Sequence, residues 1–240
     1  MKMTTMLATA LVLSGTLLAG SLSASAAVNK SLRVGDGESA SGQSTVNGSI
    51  MIGNAAIVDG NLNTVNGSIK VGDDVRFESA DTVNGSIVVG RGATANSIDS
   101  VNGKITLGDG ASIRDSLEAV NGAIRVGPGS SVGNDVENVN GELSLQGTDV
   151  GGDLSTVSGD IIVTDGSIVR GDIVVRKPTG WGWGGKRRTP KVVIGPNSQV
   201  LGRIDAKREI ELFISDSATV GSVTGKASLD DAVRFSGDRP

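Results

Sequence analysis

Aliphatic positions in this chain come in short bursts of strict alternation, the period of a strand rather than of a helix. One stretch runs Val65, Ile69, Val71, Val75, Phe77, and another Val101, Ile105, Leu107, Ala111, Ile113, Leu117, with Gly, Asn and Asp between the bursts. The bursts recur in register. Val-Asn-Gly-x-Ile/Leu-x-Val/Leu starts at Val46, Val65, Val83, Val101, Val120 and Val139, returns as Val-Ser-Gly at Val157, and has a degenerate forerunner at Val28. Successive starts lie 18 or 19 residues apart. Strands of two to four residues are too short to form sheets of their own. Stacked coil on coil, about 4.8 Å apart, each pairs with its equivalent in the next repeat. The pattern therefore predicts an all-β chain over 27–235, a parallel β-helix (β-solenoid) of about ten coils of 18–20 residues and roughly 50 Å long, followed by a polar tail at 236–240.

Asn-Gly between β-formers is also a hairpin signal. In a meander, however, the repeated valine would form an exposed column. A solenoid lets it open a strand and puts Asn-Gly at a corner of positive φ, so every repeated aliphatic position is expected to be buried. The repeat breaks at 176–191. Val163 to Ile194, Ile168 to Val200 and Ile173 to Ile204 are spaced by 31, 32 and 31 residues, so 176–191 reads as a loop expelled from one coil.

The amino terminus changes the picture. Lys2, an apolar stretch from Met6 to Leu22 and Ala24-Ser25-Ala26 read as a secretory signal peptide over 1–26, cleaved after Ala26. Export to the periplasm, the cell surface or beyond is expected, with no transmembrane anchor after cleavage. Loss of Lys2 leaves 21 basic against 26 acidic residues, a balance that argues against nucleic acid as a partner. The absence of cysteine removes disulfides, so burial and backbone pairing must hold the fold.

The copies Thr64-Val65-Asn66-Gly67-Ser68-Ile69 and Thr82-Val83-Asn84-Gly85-Ser86-Ile87 resemble the Val-Asn-Gly-x-Ile repeats of a bacterial β-solenoid adhesin family. The segment 192–225, with Val193-Ile194-Gly195-Pro196-Asn197-Ser198-Gln199-Val200-Leu201-Gly202-Arg203-Ile204, resembles bactofilins, which form cytoskeletal polymers. These resemblances imply a structural or adhesive role with self-association.

The chemistry on offer is narrow. Without histidine or cysteine the chain builds no Ser-His-Asp or Cys-His centre and no ordinary zinc site, and no catalytic, cofactor or metal residue is assigned. Asp73, Asp74, Asp109 and Asp115 are the carboxylates to weigh for polysaccharide cleavage; solvated corner residues are the simpler reading. The column Asn29, Asn47, Asn66, Asn84, Asn102, Asn121, Asn140 reads as a structural ladder of left-handed corner residues with stacked amides. The row Thr45, Thr64, Thr82, Ser100, Ala119, Asn138, Thr156 is too irregular for an ice-binding surface. Trp181, Trp183, Lys186, Arg187 and Arg188 make the expelled loop a candidate site for anionic polysaccharide. Val233 and Phe235, close to the terminus, mark a candidate association end. The expectation is a non-catalytic scaffold of the bacterial cell envelope, self-associating or held to a glycan or envelope partner, with loop-centred polysaccharide binding as the alternative and a lyase or hydrolase as the third reading.

Overall fold

Period-two alternation sends every second side chain of each short strand inward, and the computed structural model, which describes residues 25–178 and 188–240, stacks those side chains into columns. The first face of the rod is an all-parallel sheet of eleven strands among the described residues, from Leu32–Val34 through Ile50–Ile52, Ile69–Val71, Ile87–Val89, Ile105–Leu107 and onward to Val233–Phe235. Its inward columns run Ile50, Ile69, Ile87, Ile105, Ile124, Leu143, Ile161, Val192 and Ile52, Val71, Val89, Leu107, Val126, Leu145, Val163, Ile194, all buried. The chain is a parallel β-helix of about eleven turns, with no helix among the described residues.

The second and third faces form one sixteen-stranded sheet. Near the ends of the rod single strands cross both faces, as in Ser39–Asn47, Ile57–Asn66, Gln199–Ala206 and Thr219–Gly225. Register shifts at Ser41/Gln43 and Val200/Arg203 mark the bend. In mid-rod the same path is split, Ser112–Ile113 on the second face and Leu117–Asn121 on the third. The strands thus reach ten residues in Ile57–Asn66, longer than the alternation predicts, because the corner between these two faces is shallow enough for pairing to continue through it.

Two side-chain assignments differ from expectation. The repeated valines, Val46, Val65, Val83, Val101, Val120 and Val139, are only half-buried, while the residue before each, from Thr45 to Asn138, points inward and is buried, Ala119 included. Alternation along the third-face strand decides it. In Leu117–Asn121 the leucine and Ala119 face the core, so Val120 falls on the outer side at the corner. Across the interruption Ile168 pairs with Gln199, and it is Val169 that continues the buried column to Val200, so every offset there is 31. Lys191 already belongs to the strand Lys191–Ile194, one residue earlier than expected.

Candidate functional site

Asparagine at the corner between third and first faces builds the most regular polar array. Asn47 Nδ2 donates to Asn29 Oδ1 at 2.7 Å. The same bond is repeated from Asn66 to Asn47 (2.8 Å), Asn84 to Asn66 (2.9 Å), Asn102 to Asn84 (3.0 Å), Asn121 to Asn102 (2.9 Å) and Asn140 to Asn121 (2.9 Å). The residues are exposed, but none of them has positive φ, so left-handed tolerance is not what selects asparagine here. The amide does: it is at once donor and acceptor, and one rung satisfies the next. The glycine that follows is fixed by space. A Cβ on Gly67, Gly85, Gly103 or Gly122 would overlap the carbonyl oxygen of the corner glycine one coil before.

The inward threonines close the same corner from within. Thr45 Oγ1 donates to Lys30 O at 2.9 Å, Thr64 to Gly48 O at 2.9 Å and Thr82 to Gly67 O at 3.1 Å, and Asn138 Nδ2 reaches Gly122 O at 2.6 Å. This row is a buried structural one. Asn138 Oδ1 is left without a partner.

Aspartates, with Asn54 among them, bond the other corners from coil to coil by accepting main-chain N–H groups. Asp36 Oδ1 accepts the N–H of Asn54 at 2.8 Å, Asn54 Oδ1 that of Asp73 at 2.9 Å, and Asp73 Oδ1 that of Arg91 at 2.8 Å. Arg91 ends this run with its guanidinium on Asp73 Oδ2, and the N–H and guanidinium of Arg91 hold the Asp73 carboxyl below its ordinary range. At the corner between second and third faces Asp135, Asp153 and Asp172 accept the N–H of Asp153, Asp172 and Arg203 at 2.9, 2.7 and 2.9 Å, and Arg203 closes on Asp172 in turn. Of the carboxylates weighed for catalysis, Asp73 is thus engaged in corner bonding, and Asp74 is a corner residue with φ of 57°. Asp115 accepts from Asn134 Nδ2 at 2.6 Å at a different corner from Asp73 and Asp109, so the four do not converge. Among the described residues no group of three or more acidic side chains is arranged to hold a metal ion.

The expelled loop leaves after Ile173–Val175 and returns at Lys191–Ile194, at the corner that carries the asparagine ladder earlier in the rod, two coils beyond Asn140. Trp181, Trp183, Lys186 and Arg187 lie outside the described residues. Its return is anchored: Arg188 pairs with Asp160 at 2.6 Å, the Lys191 N–H donates to Asp160 Oδ1 at 2.9 Å, and Arg208 Nη2 donates to Arg188 O at 3.2 Å. Exposed Lys177 and Lys207 flank the same corner.

No protein-family model, curated protein or solved structure matches this chain. The functional reading rests on its own geometry.

Two features were missed in the sequence. One is a column of acids on the outer side of the third face, where Asp81, Asp99, Glu118 and Glu137 stand in register on consecutive coils. Each lies three residues before the repeated asparagine, so aligning the copies on that asparagine exposes the column. The other is the carboxy-terminal end. Thr219–Gly225 pairs with Gln199–Ala206 on one side, and Val233–Phe235 with Glu211–Ser215; among the described strands neither has a partner on its other side. Of the two residues assigned to that end, Val233 is 54% exposed, whereas Phe235 is turned in and 9% exposed, so the surface there is formed by Val233 and Leu229 rather than by the phenylalanine.

Proposed function

We propose that this chain is a non-catalytic, exported scaffold of the bacterial envelope, which acts through the length and rigidity of its rod and associates end to end through its last coil. The observation that carries the reading is the open edge of Thr219–Gly225. In the third-face column to which Val223 belongs, main-chain N–H groups donate to the following coil: Leu117 to Asp135 O at 3.1 Å, Val136 to Asp153 O at 2.9 Å, Leu154 to Asp172 O at 2.9 Å. Val223 N–H therefore faces off the end of the rod. An unpaired strand edge is a template for another strand, and half-buried Val220 and Val223 lie along this one. Two copies meeting tail to tail would pair the edge with itself about a two-fold axis, an isologous contact that closes as a dimer. The resemblance of 192–225 to polymer-forming proteins supports the same reading.

Val223→Pro tests it, because proline removes the outward donor and is tolerated on an edge strand. The variant is expected to sediment as a monomer at concentrations where the native protein is dimeric, with its melting temperature unchanged. Unchanged association in the variant would contradict the reading.

A second reading, an anionic polysaccharide at the loop, is favoured by the basic side chains Lys177, Arg188, Lys207 and Arg208 that gather at its foot.

A further inference from the structure

The acidic column of the third face departs from the charge economy of the rest of the rod. Several arginines elsewhere meet an acid of another coil, as Arg91 does Asp73, Arg125 does Glu142 and Arg170 does Asp149. On the third face carboxyl follows carboxyl, Asp81 opposite Asp99, Asp99 opposite Glu118 and Glu118 opposite Glu137, in a parallel sheet whose neighbouring strands lie about 4.8 Å apart. Like charges directly opposite one another oppose pairing. At its far end the column meets a cation, Arg176 Nη2 lying 3.1 Å from Glu137 Oε1.

Asp81 and Asp99 stand side by side in register on neighbouring strands, and two carboxyl groups so placed hydrogen-bond to each other only if one of them carries a proton. The surroundings indicate which. Asp81 is supplied with donors: Ser79 Oγ donates to its Oδ2 at 3.0 Å from the same strand. From the preceding coil, Asn63, with its amide turned so that both ends are satisfied, donates to that same oxygen at 2.9 Å. Asp99 has acidic neighbours in Asp81 on one strand, Glu118 on the other and Asp115 at the corner. Asp81 is the acceptor and Asp99 the donor.

We propose that Asp81 and Asp99 hold one shared proton that clamps their two coils together, making the middle of the rod a pH-responsive element that tightens in acid and loosens in alkali. Burial, then the charges of Asp81 and Glu118, push the Asp99 carboxyl up to about 8, and burial raises Asp81 as well. An unfolded aspartate titrates near 3.9. Between about 4 and about 8 the folded chain therefore holds more protons than the unfolded one, and stability falls as pH rises through that window. Below it the direction reverses, since carboxylates held low by partners, such as Asp73, must then be protonated.

The test is thermal unfolding of the full chain at pH 5, 7 and 9, native against Asp99→Asn, whose amide imitates the protonated acid and donates to Asp81 without titrating. The native melting temperature is expected to fall from pH 5 to pH 9. The variant should match it at pH 5 and exceed it at pH 9 by on the order of 5 °C. Asp81→Asn, which keeps the pair neutral from the other side, should flatten the profile equally. Amide hydrogen exchange localises the effect: protection of 79–84 and 97–102 should drop with alkali relative to 161–164 after correction for intrinsic rates. Parallel profiles for native protein and both variants, or a loss of protection spread evenly over the rod, would overturn the proposal.

Discussion

Glycine in this rod answers two separate demands, close approach of backbone and positive φ, and each predicts a different tolerance. Gly103 has Gly85 O directly behind it, so Gly103→Ala drives one backbone against another and is expected to destabilise by on the order of 2–3 kcal/mol in chemical denaturation. Gly110 has φ of 68° and nothing near its missing side chain, so Gly110→Asn, a residue at ease in that conformation, should change stability by well under about 1 kcal/mol. Comparable losses for both would show that the corners are not packed as described. The core follows the same logic. Ile105 is fully buried, and Ile105→Asp places a carboxylate among its stacked equivalents at a cost of about 4 kcal/mol or more, whereas exposed Lys104→Asp should be almost silent in the melting curve.

The aliphatic columns are legible in the sequence because hydrophobic burial repeats with the coil and is written throughout in Ile, Leu and Val. The valine of Val-Asn-Gly misleads for the complementary reason. It is as regular as the isoleucines, but its regularity reflects β-propensity at a half-buried corner, and the burial belongs to the less regular Thr45, Thr64, Thr82, Ser100, Ala119, Asn138 row. Those threonines hydrogen-bond to carbonyls that no linear pattern reveals.

At the scale of elements, the short strands persist because their corners are hydrogen-bonded from coil to coil. Asparagine does this at one corner and chiefly aspartate at the others, with Asn54 among them, and Arg91 and Arg203 terminate two runs by pairing with the last acid. The loop is accommodated by the same register. Four residues, 157–160, join Thr156 to Ile161, and sixteen, 176–191, join Val175 to Val192, yet Thr156 pairs with Val175 and Ile161 with Val192 as in uninterrupted coils. Deleting 178–189 restores the four-residue connection. The deletion should leave the circular dichroism spectrum unchanged and cost at most about 1 kcal/mol, chiefly the exposed Arg188–Asp160 pair. Unfolding of the rod on deletion would make the loop a structural cover. The position of the loop was plain from offsets of 31 or 32 residues, whereas its anchorage through Asp160 and Arg208 was not, because those partners lie 28 and 20 residues from Arg188 in the chain.

At the scale of the molecule, the fold is nearly one-dimensional: each coil touches its neighbours, and the ends differ from the middle only in what they leave unpaired. The sequence marks the carboxy-terminal end through Val233 and Phe235, yet the strand that offers the longer open edge, Thr219–Gly225, reads as an ordinary repeat. Openness is a property of position along the rod, which composition does not carry. The shared proton of Asp81 and Asp99 lies far from that edge, so Asp99→Asn and Val223→Pro should act independently, one on the pH profile of melting and the other on mass. Electron microscopy of the purified protein, imaged at concentrations that bracket the association, tests the central claim most directly. Tail-to-tail contact predicts rods of roughly 50 Å at low concentration and roughly 100 Å at high concentration, since neighbouring coils lie about 4.8 Å apart, with the longer class lost in Val223→Pro. A population of single-length rods at every concentration, or pairs lying side by side, would contradict it.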